Sequence, residues 1–145
     1  MNAYEFTVSL RIRHPSLDPA QITSSLDLVA KNAWRAGTPR RGPNDEPLSG
    51  LYRETYWSAP LGEDSWRRSA PIALEPFLLN HLRLLTPHVD FLQRLVAEGG
   101  SCELFVGLAG SGEIGLEMPP PLLRLLADLH CTLSFDIYPD EQPDN

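Results

Sequence analysis

Lysine is nearly missing from this chain: Lys31 is the only one in 145 residues, against eleven arginines. A single residue is left to serve as a Schiff-base amine or as the phosphate lysine of a P-loop, which closes several enzyme classes. Cysteine is as scarce. Cys102 and Cys131 lie far apart without a CxxC pair, so neither a disulfide framework nor a zinc site is implied, and a reducing compartment fits. None of His14, His81, His88 and His130 stands in an HExxH pattern, so each is expected to be a satisfied or surface histidine. No metal and no cofactor is expected. A G-x-S-x-G elbow is also missing, and the chain leans away from being an enzyme. There is no run of basic residues, and with a net charge of −7 and a pI near 5.0 the chain repels phosphate backbones. Nucleic acid is not an expected partner. No apolar stretch approaches the ~20 residues of a membrane span, and the N-terminus lacks a basic segment followed by an apolar run. The expected location is the cytoplasm.

What is present is ordinary globular composition, 42% hydrophobic and 21% charged, in a length typical of one domain. Tyr4, Phe6, Val8, Leu10 and Ile12 alternate with Glu5, Thr7, Ser9, Arg11 and Arg13, the pattern of a half-buried strand. Leu17-Asp18-Pro19-Ala20-Gln21-Ile22 then supplies a helix start, with an N-cap Asp and a Pro at the first helical position. Val29 to Arg35 reads as a second strand. Gly37 to Gly50, with four of its residues Pro or Asn, is expected to be a long irregular loop, and Leu51 to Ser58 a third strand. Leu74 onward gives a helix that Thr86-Pro87 kinks or restarts and Gly99-Gly100 stops. Cys102 to Leu108 and Ile114 to Met118 alternate around Gly110-Ser111-Gly112 as a hairpin. The leucines at 122, 125, 126 and 129 mark a third helix, and Leu133, Phe135 and Ile137 the inner face of a last strand.

The order βαββαββαβ predicts an α+β domain over residues 1–138, with a polar tail at 139–145 expected to be disordered. Its sheet should be mainly antiparallel, with about six strands, three helices on one face and a ferredoxin-like, split βαβ character. The other sheet face is then open, and Arg11, Arg13 and Asp136 are its candidate residues, Asp136 as a partner for either arginine.

The most singular local feature is Trp34-Arg35-Ala36-Gly37 before the loop that carries Arg40 and Arg41. Arginine forks grip carboxylate or phosphate, and an indole offers a stacking face, so Trp34, Arg35, Arg40, Arg41 and Trp57 are candidates for a small anionic ligand. The plainer account puts Trp34 in the core, Arg35 on a carboxylate of the fold, and Tyr56-Trp57 in cross-strand contact with Trp34. Trp66-Arg67-Arg68 reads as a surface loop packed by its own Trp.

The opening strand, Leu17-Asp18-Pro19-Ala20-Gln21-Ile22, Trp34-Arg35-Ala36-Gly37, Tyr56-Trp57 and Phe135-Asp136-Ile137-Tyr138 together resemble the bacterial domain of unknown function 4279 family, from about Tyr4 to Tyr138. The resemblance implies a small bacterial cytosolic protein and carries over no catalytic residue. The acidic charge, the open sheet face and the lack of catalytic machinery lead to a binding or interaction protein, in the manner of a partner that neutralises another protein such as a toxin. The alternatives are an anion-binding pocket or unrecognised enzyme at the Trp/Arg cluster, and a homodimer joined through an edge strand or the polar face.

Overall fold

A computed structural model describes residues 2–139. In chain order the elements are β1 (Glu5–His14), α1 (Pro19–Leu26), β2 (Asn32–Trp34), β3 (Pro39–Arg41), β4 (Pro47–Leu51), β5 (Thr55–Pro60), β6 (Arg67–Arg68), α2 (Leu74–Leu85), α3 (Val89–Ala97), β7 (Ser101–Gly110), α4 (Pro120–Asp128) and β8 (Cys131–Pro139). A 3-10 turn at Thr86–His88 joins α2 to α3, so these form two arms of one bent helical unit at the Thr86-Pro87 break. β8 includes Pro139; the remainder of the expected polar tail lies outside the described residues.

The fold is α+β. Its main sheet runs β2-β5-β1-β7-β8, with β6 beside the start of β1. β7 and β8 pair in parallel and the other pairings are antiparallel, so the sheet is mixed. Because β1 and β2 are both antiparallel to the β5 strand between them, β1-α1-β2 is a split βαβ unit. β5 and β7 flank β1 in the same way. The unit β7-α4-β8, by contrast, places its two strands side by side.

Strand alternation decides the two faces. Phe6, Val8, Leu10 and Ile12 of β1, Trp57 and Ala59 of β5, and Cys102, Leu104, Val106 and Leu108 of β7 point into a single core, where Ile22, Leu74, Leu78, Leu82, Leu92, Leu95 and Leu122 of the helices meet them. All the helices therefore lie on one side. The start of α1 follows from its cap: Asp18 accepts from the Ala20 amide at 3.0 Å, and Pro19 occupies the first helical position. α2 has no side-chain cap of its own on Ala73. The buried Tyr4 phenol takes that role, accepting from the Leu74 amide at 2.9 Å. His14, also buried, accepts the Ser16 and Leu17 amides on Nδ1 at 3.0 and 2.9 Å, which holds the corner between β1 and α1.

Four expectations are corrected. Residues 37–50 are no irregular loop, since β3 and β4 form a small antiparallel ribbon of their own, exposed along its length. Gly37, Asp45 and Gly50 have positive φ there, which lets so Pro-rich a segment reverse. The third strand starts at Thr55, because Leu51 belongs to that ribbon. Ile114 to Met118 does not pair as a hairpin arm: it runs over the core, its apolar side chains half-buried, and the Glu117 amide donates to Glu75 Oε1. Alternation there records one-sided burial without a strand partner. Finally, Phe135 and Ile137 share the helix side with Leu133 but are exposed, since β8 is the sheet edge and the helices cover only its beginning.

Candidate functional site

The uncovered sheet face is built from the other half of the same alternation. Asn32 and Trp34 of β2, Tyr56 and Ser58 of β5, Ser9, Arg11 and Arg13 of β1, Glu103 and Phe105 of β7, and Ser134 and Asp136 of β8 share it by register. Trp34 is directly opposite Tyr56, and their rings stack at 4.6 Å; Tyr52, at the foot of the ribbon, stacks on Trp34 at 4.8 Å and 13°. Trp34 is thus held half-buried between two tyrosines. The Tyr52 hydroxyl in turn takes the Arg41 amide and donates to the Arg41 carbonyl, fastening the β3–β4 ribbon to this stack.

The arginines extend the aromatic row. Arg13 lies over the Tyr56 ring at 5.1 Å, and Arg11 over Phe105 at 3.6 Å. At the far side, Trp66 meets Tyr138 edge-on and passes over Gly107, where any Cβ would approach the indole to 3.1 Å. In the middle, a depression of about 190 Å³ is lined by residues including Ser9, Arg11, Asn32, Tyr56, Ser58 and Phe105. A second groove, of about 520 Å³, runs between β2 and the ribbon, with Lys31, Trp34, Arg41, Asp45 and Tyr52 among its walls.

Charge on this side is mixed and self-paired. Arg11 faces Glu103 at 4.0 Å, Arg13 faces Glu54 at 3.4 Å, Lys31 faces Asp64 at 3.0 Å and Arg41 faces Asp45 at 4.0 Å, while Arg35 turns to Asp18, the cap of α1, at 3.4 Å. Glu103 also accepts from the Ser134 hydroxyl at 2.8 Å. Such exposed pairs add little stability, about 0–1 kcal/mol each, but they fix where the guanidinium groups sit.

The structure separates the residues that the sequence grouped. Trp34 is not in the core. Trp57 is, fully buried on the opposite face, with its indole N–H donating to Thr23 at 3.0 Å, so of the Tyr56-Trp57 pair expected to contact Trp34 across the strands it is Tyr56 that does so. Adjacent strand residues point to opposite faces, and no single pocket can use both Tyr56 and Trp57. Arg41 shares the groove with Trp34, whereas Arg40 reaches back to the Ser49 carbonyl at 3.3 Å and Arg35 to Asp18. Asp136 partners neither Arg11 nor Arg13, because β7 lies between β1 and β8 and supplies Glu103. Tyr52 was the residue that sequence reasoning passed over; its signal was an aromatic one step beyond the ribbon's last strand.

Residues 4–140 match the profile of the family described as Domain of unknown function (DUF4279). The chain belongs to the DUF4279 family. No curated protein matches it, and no solved structure does. Membership spans β1 to β8, so the whole sheet with both its faces is the family domain. Among the described residues, no helix is long and apolar enough to cross a membrane, and no group of three or more His, Cys, Asp and Glu side chains could hold a metal ion.

Proposed function

We propose that this DUF4279 domain is a protein-binding module that docks a partner on its uncovered sheet face, in the manner of an immunity-type neutralising protein. The Tyr52–Trp34–Tyr56 stack carries the reading: three large aromatics are spent outside the core, on a face that no helix covers. Trp, Tyr and Arg are the residues that anchor protein interfaces, and rings clamped on both sides lose little freedom on docking. The ion pairs around the stack supply a rim of both signs, and the overall charge of −7 favours encounter with a basic partner.

The test is affinity capture from the native host with three baits: the unaltered chain, Trp34→Ala and Leu123→Ala. Leu123 is exposed on α4, in the opposite layer. A species held by the unaltered and Leu123→Ala chains and lost by Trp34→Ala is the expected result. Retention by all three, or by none, removes the reading.

A second reading has its own observation. Among the described residues β8 has no strand on its outer side, and Phe135, Ile137 and Tyr138 are exposed along it, which suits edge-to-edge pairing of two copies. A light-scattering mass of one chain at micromolar concentration excludes it.

A further inference from the structure

The parallel pairing of β7 with β8 brings together the two cysteines of the chain, which the sequence separates by 29 positions. Cys102 and Cys131 are direct register partners. Their sulfurs are 2.9 Å apart, less than 1 Å from the S–S bond length of about 2.05 Å. Neighbouring strands run about 4.8 Å apart, which is inside the Cα separation of about 4.4–6.8 Å that a disulfide spans. The two thiols differ in access. Cys102 is buried against the helices, while Cys131, the first residue of the edge strand, is half-buried. Ordinary core filling by two small side chains calls for no such approach of sulfur to sulfur.

We propose that Cys102 and Cys131 are a reversible oxidation site for a peroxide, closing to an intramolecular disulfide that ties the edge strand β8 to β7. The accessible Cys131 sulfur attacks one oxygen of the peroxide; an S–O bond forms, the O–O bond breaks, and with hydrogen peroxide the second oxygen leaves as water, taking up the proton that the Cys131 thiol gives up. Cys131 is then a sulfenic acid. The Cys102 sulfur attacks the Cys131 sulfur, the S–S bond forms, the S–O bond breaks, and the Cys102 proton leaves with the hydroxyl as a second water. Two thiols give up two electrons and one peroxide takes them. The division of roles also follows from proton affinity. Hydrogen bonding to Cys131 and then burial push the Cys102 thiol well above its ordinary pKa, so Cys102 keeps its proton until the neighbouring sulfur is oxidised. A low-molecular-weight dithiol reverses the bond. The site depends on the β7–β8 register alone and stands whether or not the open face binds a partner.

Trypsin separates the two cysteines, since it cuts after Arg94 and Arg124 and nowhere between. The purified chain is treated with a small excess of hydrogen peroxide under native conditions, and its intact mass, thiol count and tryptic peptides are measured. The expected result is a loss of about 2 Da, the joint loss of both thiols, a linked pair of peptides 95–124 and 125–145, and full recovery with dithiothreitol. In Cys131→Ser, the remaining Cys102 should be modified at least about tenfold more slowly. In Cys102→Ser, Cys131 should instead gain oxygen and form no internal link. Two thiols that persist, oxygen added to Cys131 of the unaltered chain without a linked peptide, or a link only between separate chains would each overturn the proposal.

Discussion

Replacing Tyr4 by Phe removes one oxygen atom and tests how α2 is begun. The N-cap position of α2 is Ala73, which has no side-chain acceptor, and the Leu74 amide is buried. The Tyr4 hydroxyl at 2.9 Å is its partner. A buried N–H left without an acceptor costs about 1–3 kcal/mol, and loss of an N-cap about 0.5–2 kcal/mol. Removal of a buried hydroxyl returns part of that, so a net loss of about 1–2 kcal/mol is expected. For a chain of this size each kcal/mol lowers Tm by about 2–4 °C, giving a drop of about 2–8 °C in a calorimetric scan. Amide exchange should quicken in the first turn of α2 and not in β1. The same phenol makes a second, pH-dependent mark. Burial, and then the nearby Glu75 carboxylate, raise its pKa above 10.0, against the opposing Leu74 hydrogen bond. Above pH 10 the unfolded chain has therefore released this proton while the folded chain keeps it. Fewer protons on the unfolded state mean that stability falls as pH rises through that window. Tyr4→Phe should flatten this alkaline fall. An unchanged Tm at pH 7 together with an unchanged alkaline slope would refute the assignment of Tyr4 as the cap of α2.

Two further outcomes follow from which face a side chain occupies. Trp57→Ala opens a fully buried site and strands Thr23, so urea unfolding followed by far-UV circular dichroism should show a loss of about 3–5 kcal/mol; Trp34→Ala should lose only about 1–3 kcal/mol, the worth of two exposed-side stacks. The reverse ranking would mean that the two faces have been interchanged. For His81, burial and then the Arg67 charge lower its pKa below 6.5, so the unfolded chain takes up a proton first as pH falls. Stability should decline below about pH 6.5, and His81→Gln should lessen that decline in a pH series of thermal melts.

How much of this was legible in the sequence depends on whether a pattern was local. The β1 alternation, the Asp18-Pro19 helix start and the leucine stripe of α4 each carry their cause within a few residues, and each element forms where it is expected. The β3–β4 ribbon did not show, because its Pro, Gly and Asn content is that of a loop; what makes it a ribbon is Tyr52 closing on Arg41 and Trp34, a contact that composition does not encode. Ile114 to Met118 failed in the opposite direction. Its alternation is real, but period two reports only which side is buried, and pairing needs a strand edge within reach. The cysteine pair was hidden for the same reason: residues 29 apart become neighbours only once α4 returns the chain in parallel beside β7.

The candidate site turned on a single parity. Tyr56 and Trp57 adjoin in sequence, and grouping both with Trp34 joined residues that the pleat sends apart. Once Trp57 is assigned to the core, the guanidinium groups bear on the two proposed readings. An anion bound at Trp34 would need a free arginine fork, yet Arg35 already faces Asp18, Arg41 faces Asp45, and Arg40 donates to Ser49. Each would exchange one exposed acceptor for another, a swap between pairs worth only about 0–1 kcal/mol each that returns little net affinity. A protein partner makes no such demand. It can stack on the ring edges and guanidinium planes that the ion pairs hold in place, and it leaves the pairs intact at its rim. Fixed arginines beside clamped aromatics therefore weigh against a pocket for a small anion and toward a surface that is read as a whole.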